Sequence, residues 1–255
     1  MGEIPESHPR YESLMARKKM TDAAAAGLLA DSALIAHGRG EAFDYLLGEK
    51  TTESAKSAIM ETASQLLAAN QPVISVNGNT VALAGIDLIA CAAVIECPIE
   101  VNIYYRTPER MSALLGALEE QKIAACEKYP ELAENIQCVE FLGREPDTKI
   151  PGLEGPRANC HTNGIFSSDV ILVPLEDGDR CEALVEMGKT VCVIDLNPLS
   201  RTAMTSTIAI VDQLTRCVPI LLKYLKDGGS QINESWDNRG NLSDGLAEML
   251  RDFQK

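Results

Sequence analysis

Six short runs rich in β-branched and aliphatic residues recur along the chain: PVISVNG (72–78), IEVNIYY (99–105), CVEFLG (138–143), DVILVPL (169–175), TVCVIDL (190–196) and TIAIVD (207–212). Several are almost continuously apolar, as expected of strands covered on both faces. Between them lie helical patterns at 80–94, 108–126, 180–188 and 213–226. Strand and helix alternating in this way predict an α/β fold, a Rossmann-like parallel sheet flanked by helices. The first seventy residues predict no strand. Helices are expected there at about 10–28, 40–48 and 53–69, packed on the sheet or on a partner subunit. Residues 144–168 are rich in Pro, Gly and Asn without periodicity, the signature of a lid or a disordered loop. After residue 227 the sequence reads as a linker and a short helix, LAEMLRDFQK, capped by Ser243 or Asp244. The organisation expected is one α/β domain over 1–227, helical over 1–70, followed by the linker and helix of 228–255.

Composition narrows the chemistry. Hydrophobic residues make up 45% of the 255 residues and aromatics only 4%, so the core must be aliphatic. A net charge of -14 argues against nucleic acid and anionic membranes as partners, which need a basic face. It leaves room for small anions, because those need only a local arginine cluster. Eight scattered cysteines without a CxxC spacing read as buried, reduced thiols. With a polar start (MGEIPESHPR) and apolar runs too short to span a bilayer, a cytoplasmic protein is expected.

In parallel α/β sheets, ligands bind beyond the carboxyl ends of the strands. Here those exits are Asn77-Gly78-Asn79, Arg106-Thr107 with Arg110 one turn later, Glu176-Asp177-Gly178-Asp179-Arg180, and Asn197-Pro198-Leu199-Ser200-Arg201. Each alone could be a turn or a helix cap. Four on one edge, with four arginines, suit phosphate or carboxylate ligands. The carboxylates of EDGDR need a cation among them: either Mg²⁺ brought by nucleotide phosphates, or Arg180 neutralising a capped helix start. Neither GxxxxGK[ST] nor GxGxxG is present. The residues alone therefore indicate a small, phosphorylated anion bound at the sheet edge.

Six blocks in order carry a resemblance: IPESHPRY (4–11), LIAHGRGEAFDYLLGE (34–49), PVISVNGN (72–79), VNIYYRT (101–107), VPLEDGDR (173–180) and IDLNPLSRT (194–202). Over residues 4 to about 225 the chain resembles the archaeal phosphopantothenate synthetase (4-phosphopantoate–β-alanine ligase) family. The resemblance implies that ATP, 4-phosphopantoate and β-alanine give AMP, pyrophosphate and 4′-phosphopantothenate through an acyl-adenylate, in a homodimer of Rossmann-like subunits. It implies nucleotide binding by Arg17, Arg39, Asp179, Arg180, Cys181, Asn197 and Pro198. Asn77, Asn79, Arg106, Ser200 and Arg201 lie in matching blocks and are expected to hold phosphopantoate or phosphates. His37, Arg39 and Arg180 are the candidate catalytic residues, and Asp177 and Asp179 the candidates for Mg²⁺ arriving with ATP. His37 would serve as base for the β-alanine amine, with Glu41 and Asp44 as competitors or orienting partners, or would bond a phosphate as a cation. Gly38-Arg39-Gly40 is expected to turn the backbone tightly, with Glu41 opening the next helix. The alternatives are a phosphotransferase releasing ADP and a non-catalytic nucleotide or coenzyme-A-pathway sensor.

Overall fold

All six apolar runs enter one parallel sheet, in the order β3-β2-β1-β6-β7-β8. Its strands, in a computed structural model that describes residues 4–253, are β1 (Pro72–Val76), β2 (Ile99–Val101), β3 (Phe141–Leu142), β6 (Val170–Pro174), β7 (Thr190–Ile194) and β8 (Ile208–Ile210). A two-stranded antiparallel hairpin, β4 (Thr148–Lys149) and β5 (Asn159–Cys160), stands beside it. The helices are α1 (Tyr11–Ala25), α2 (Ser32–Leu46), α3 (Glu53–Ala68), α4 (Gly78–Val94), α5 (Pro108–Lys128), α6 (Ala133–Cys138), α7 (Gly178–Glu186), α8 (Arg201–Thr205), α9 (Leu214–Lys226) and α10 (Asn238–Phe253). Among the described residues, no helix is long and apolar enough to cross a membrane.

The period-2 alternation of the strands builds two cores. Ile74, Val76, Leu172, Cys192, Ile194 and Ile208 face one side and pack with α1, α3, α4, α5 and α9. Val73, Ile171, Val173, Val191, Val193 and Ala209 face the other, with residues of α7, α8 and α10. Strands buried on both faces need apolar residues at every position, which is why these runs barely alternate. The described cysteines are all free, six of them buried, and burial pushes the Cys192 thiol up to about 12. Cys91→Ala and Cys192→Ala are therefore expected to turn over at the wild-type level, losing about 1 kcal/mol of stability to a small cavity. Activity lost from a folded variant would show that a thiol does more than fill the core.

Three boundaries differ from expectation. Helix α2 starts at Ser32, so Gly38-Arg39-Gly40 lies inside a helix and is not a turn. Two interior glycines cost about 1 kcal/mol each relative to Ala, but tertiary contacts hold the segment. Asn79 Nδ2 donates to the Ala33 carbonyl at 3.1 Å, and a Cβ at Gly40 would lie 3.5 Å from Leu196 Cδ1. Helix α10 starts at Asn238, ahead of Ser243 and Asp244. The Asn238 side chain accepts from Ala209 N at 2.9 Å and donates to the Ala203 and Ser206 carbonyls, fastening the helix to the β8 edge. The segment 144–168 is ordered: Glu100, buried on β2, accepts from His161 N at 2.9 Å and Ile165 N at 2.8 Å.

Candidate active site

The chain leaves β1 towards β2 on one side of the sheet and β6 towards β7 on the other, so the turns after β1 and β6 diverge. Such a switch point opens a crevice at the carboxyl edge. A cavity of about 470 Å³ fills it. Asn77 ties its two walls together: Oδ1 caps α4 by accepting from Thr80 N at 3.1 Å, while Nδ2 donates to the Leu175 carbonyl at 2.9 Å. Leu175 takes a φ of 55°, a left-handed conformation that a branched residue adopts only when its surroundings force it. Gly78 opens α4 where a Cβ would meet the Leu28 carbonyl at 2.7 Å, so only glycine lets the chain before α2 come this close. One face of α2 forms the roof, with Ala33, Ala36, His37, Gly40 and Phe43 at helical spacing.

Helices α4, α7 and α8 all start at this cavity, directing backbone N–H groups and positive dipole ends towards it. Ser200 caps α8, accepting from Ala203 N at 3.0 Å and donating to Asp195 Oδ2 at 2.5 Å. Burial raises the Asp195 pKa, against the bonds from Ser200 and Asn197 N and the charge of Arg39. Arg39 is exposed on the cavity wall and makes no hydrogen bond or ion pair among the described residues. Arg157, from the irregular segment, is buried beside it: Nη1 contacts Asp177 Oδ2 at 2.7 Å, Nη2 contacts Glu176 at 2.8 and 3.0 Å, and Nε reaches Asn102 Oδ1 at 3.2 Å. Beneath it lies Arg180, 1% exposed, bonded to Glu176 and, at 3.1 Å, to Ser75 Oγ. Burial lowers the Arg180 pKa, and Glu176 opposes this.

His37, Arg39, Asn77, Asn79, Asp177, Asn197 and Ser200 line the cavity together. The Nε2 of His37 is buried without a partner among the described residues. Burial lowers the imidazole pKa, with Glu41 raising it and Arg17 lowering it. Glu41 is held by Ser13, Arg10 and Arg17, and Asp44 by Arg216 at 2.5 Å, so neither hydrogen-bonds His37. Arg17 lies off the cavity, its Nε 2.9 Å from Glu41. Arg180, Cys181 and Pro198 are buried behind the cavity wall. Asp179 and Arg201 pair with each other on the outer side of α7 and α8. Arg106 turns away to the Gly143 and Arg144 carbonyls. Arg110, one turn later, is the arginine that the β2 exit contributes to the cavity.

The cations that EDGDR requires are guanidinium groups. Glu176 is paired with Arg157 and Arg180, Asp177 with Arg157, and Asp179 with Arg201. A Mg²⁺ ion on Asp177 or Asp179 would have to displace an arginine, and among the described residues no group of three His, Cys, Asp or Glu is arranged to hold a metal. The carboxylates fit a resident ion poorly.

Two cavity residues, Arg157 and Asp195, escaped the sequence reasoning as site members, and a third, Arg110, was named at the β2 exit without an assigned role. Arg157 sits in a stretch with no periodicity to place it. Asp195 and Arg110 both follow the strand-end rule, Asp195 as the first polar residue after TVCVI and Arg110 as one of two candidate arginines.

The sequence profile of the phosphopantothenate/pantothenate synthetase family matches residues 54–252. A protein of Thermococcus onnurineus named 4-phosphopantoate–beta-alanine ligase is 45% identical, over 98% of this chain and 93% of its own length. One of the same name from Methanosarcina mazei is 43% identical, over 98% and 95%. A third, from Methanospirillum hungatei, is 46% identical, over 87% and 84%. The first two matches include the tail after residue 227, where the quoted blocks had given out. With a family profile matched along most of its length and relatives aligned nearly end to end, the chain belongs to the phosphopantothenate/pantothenate synthetase family.

Proposed function

We propose that this chain condenses 4-phosphopantoate with β-alanine, using ATP, to give 4′-phosphopantothenate, AMP and pyrophosphate on the route to coenzyme A. The observation that carries the proposal is a switch-point cavity holding the guanidinium of Arg39 and the buried Nε2 of His37, both without a partner among the described residues. Relatives at 43–46% identity bear the name of this ligase.

A carboxylate oxygen of 4-phosphopantoate attacks the α-phosphorus of ATP, the bond to the β-phosphate oxygen breaks, and pyrophosphate departs. The amine of β-alanine then attacks the acyl carbon and AMP leaves with the carboxylate-derived oxygen. Negative charge grows first on the α-phosphoryl oxygens and on pyrophosphate, so a cation carried on the cavity wall there is the main catalytic resource. Arg39 supplies it, and Asn197, Ser200 and the starts of α7 and α8 position the nucleotide. Asp179, Arg180, Cys181 and Pro198 act through the backbone of those turns or by holding them. Arg201 steadies Asp179, and Arg17 reaches the nucleotide by releasing Glu41. No side-chain nucleophile is needed, and the Cys181 thiol, pushed up to about 11 by burial, is a poor one. Mg²⁺ arriving with the nucleotide would be held by its phosphates rather than by Asp177 or Asp179, and would supply further charge neutralisation. A cytoplasmic homodimer completes the proposal, its contact covering exposed side chains of α2 such as Ile35 and Leu46.

His37 takes the proton from the β-alanine ammonium. Because burial lowers the imidazole pKa, the acid limb of kcat is expected below the ordinary imidazole value of about 6.5, and to disappear in His37→Gln. An unchanged limb in that variant would assign the proton elsewhere. The same depressed value makes the stability contribution of His37 complete above the unfolded pKa and lost as pH falls through the folded one.

Incubation with ATP, 4-phosphopantoate and β-alanine, with the nucleotide product identified, tests the activity. AMP with phosphopantothenate is expected. ADP with a phosphorylated product would mean a kinase, and ATP binding without pyrophosphate release a sensor.

A further inference from the structure

The cavity has a second guanidinium that no carboxylate pairs with among the described residues. Arg110 enters from α5, on the β2 side, opposite the Asn197 and Ser200 turn. Its Nη1 donates to the Tyr105 carbonyl at 2.6 Å and its Nη2 to the Leu28 carbonyl at 3.1 Å, while Nε is buried with no partner among the described residues. Burial lowers its pKa, and no neighbouring carboxylate offsets this. The two arginines buried beside the cavity, Arg157 and Arg180, are by contrast balanced by Glu176 and Asp177. A guanidinium clamped by two neutral carbonyls is held in place without being neutralised, an arrangement that leaves charge-assisted donors for an anion. The clamp is also tied to α4, because the Leu28 carbonyl that receives Arg110 is the one lying against Gly78. The guanidinium therefore stands beside the start of that helix, whose dipole favours the same sign of ligand. Apolar Leu83 and Ile103 line the same part of the cavity, offering a surface to a branched aliphatic body.

We infer that Arg110, with the start of α4, is the receptor for the phosphate ester of 4-phosphopantoate and discriminates it from unphosphorylated pantoate. The inference rests on the proposed ligase activity and goes further by dividing the cavity: nucleotide phosphates at Arg39 on the β7 side, the ester phosphate at Arg110 on the β2 side. The carboxyl end of the acid then points from Arg110 towards the middle of the cavity, under His37.

The test compares 4-phosphopantoate with pantoate as substrates of the wild type, Arg110→Met and Arg110→Lys. Loss of a charge-assisted contact is expected to lower the preference for 4-phosphopantoate about 100-fold in Arg110→Met, with the KM for ATP unchanged and part of the preference restored in Arg110→Lys. The ratio of the two substrates is insensitive to a misfolded fraction, which lowers both rates alike. A preference within a factor of about three of wild type would overturn the assignment. If the wild type makes no phosphopantothenate, the ligase proposal fails separately. Arg110 is then judged by calorimetry with inorganic phosphate: binding lost in Arg110→Met supports it, and equal binding or none overturns it.

Discussion

Arg39→Ala is expected to lower kcat/KM by at least about 100-fold while leaving the melting temperature unchanged. The two halves of that expectation come from one observation. Arg39 is exposed on the cavity wall and bonds nothing among the described residues, so the folded protein loses no contact when it is removed. Alanine is also the better helix former inside α2, as the position lies between Ser32 and Leu46. What is lost is a preset charge at the place where the α-phosphoryl group becomes more negative. Calorimetric melting and initial rates on one preparation check both halves. Near-normal turnover would remove Arg39 from the mechanism, and a large drop in melting temperature would give it a structural role.

The opposite behaviour is expected of Glu176→Ala, which should destabilise the fold by about 3–5 kcal/mol. Arg180 is 1% exposed, and Glu176 is the one carboxylate that ion-pairs with it among the described residues, with Ser75 supplying one neutral bond. Removing the carboxylate strands a buried charge and frees Arg157, whose remaining ionic partner, Asp177, is largely exposed. At about 2–4 °C per kcal/mol for a chain of this size, the loss is readily seen in thermal unfolding. Combining Glu176→Gln with Arg180→Met removes both charges and is expected to recover much of the stability. If Glu176→Ala melts like wild type, the network beneath the cavity is ornamental.

These two residues also mark what the sequence could and could not convey. The six strands were legible because strands buried on both faces demand near-continuous apolar runs, and the strand-end rule then pointed to the edge of the sheet where the cavity lies. Edge position does not fix where a side chain points. Arg180 follows β6 as predicted, yet it turns under the cavity to meet Ser75, whereas Asp177, three residues earlier, reaches the rim. Arg106 and Arg110 are one helical turn apart, and only the second faces inward, because the first finds the Gly143 carbonyl. Glycine misled in the other direction. Gly38 and Gly40 read as breakers, but close packing of α2 over Leu196 and its bond from Asn79 outweigh their helix penalty. Arg157 was illegible because its place is set by three long-range partners, Asn102, Glu176 and Asp177, and a single aperiodic segment carries no trace of them.

The central claim is that this cavity joins a carboxylate to an amine through a bond to the α-phosphorus of ATP. It is tested most directly with 4-phosphopantoate labelled with ¹⁸O in its carboxylate, turned over with ATP and β-alanine, and analysed by phosphorus NMR. The proposed path requires one labelled oxygen in AMP and none in pyrophosphate. Label in inorganic phosphate with ADP as the nucleotide would place attack at the γ-phosphorus and contradict the adenylate path.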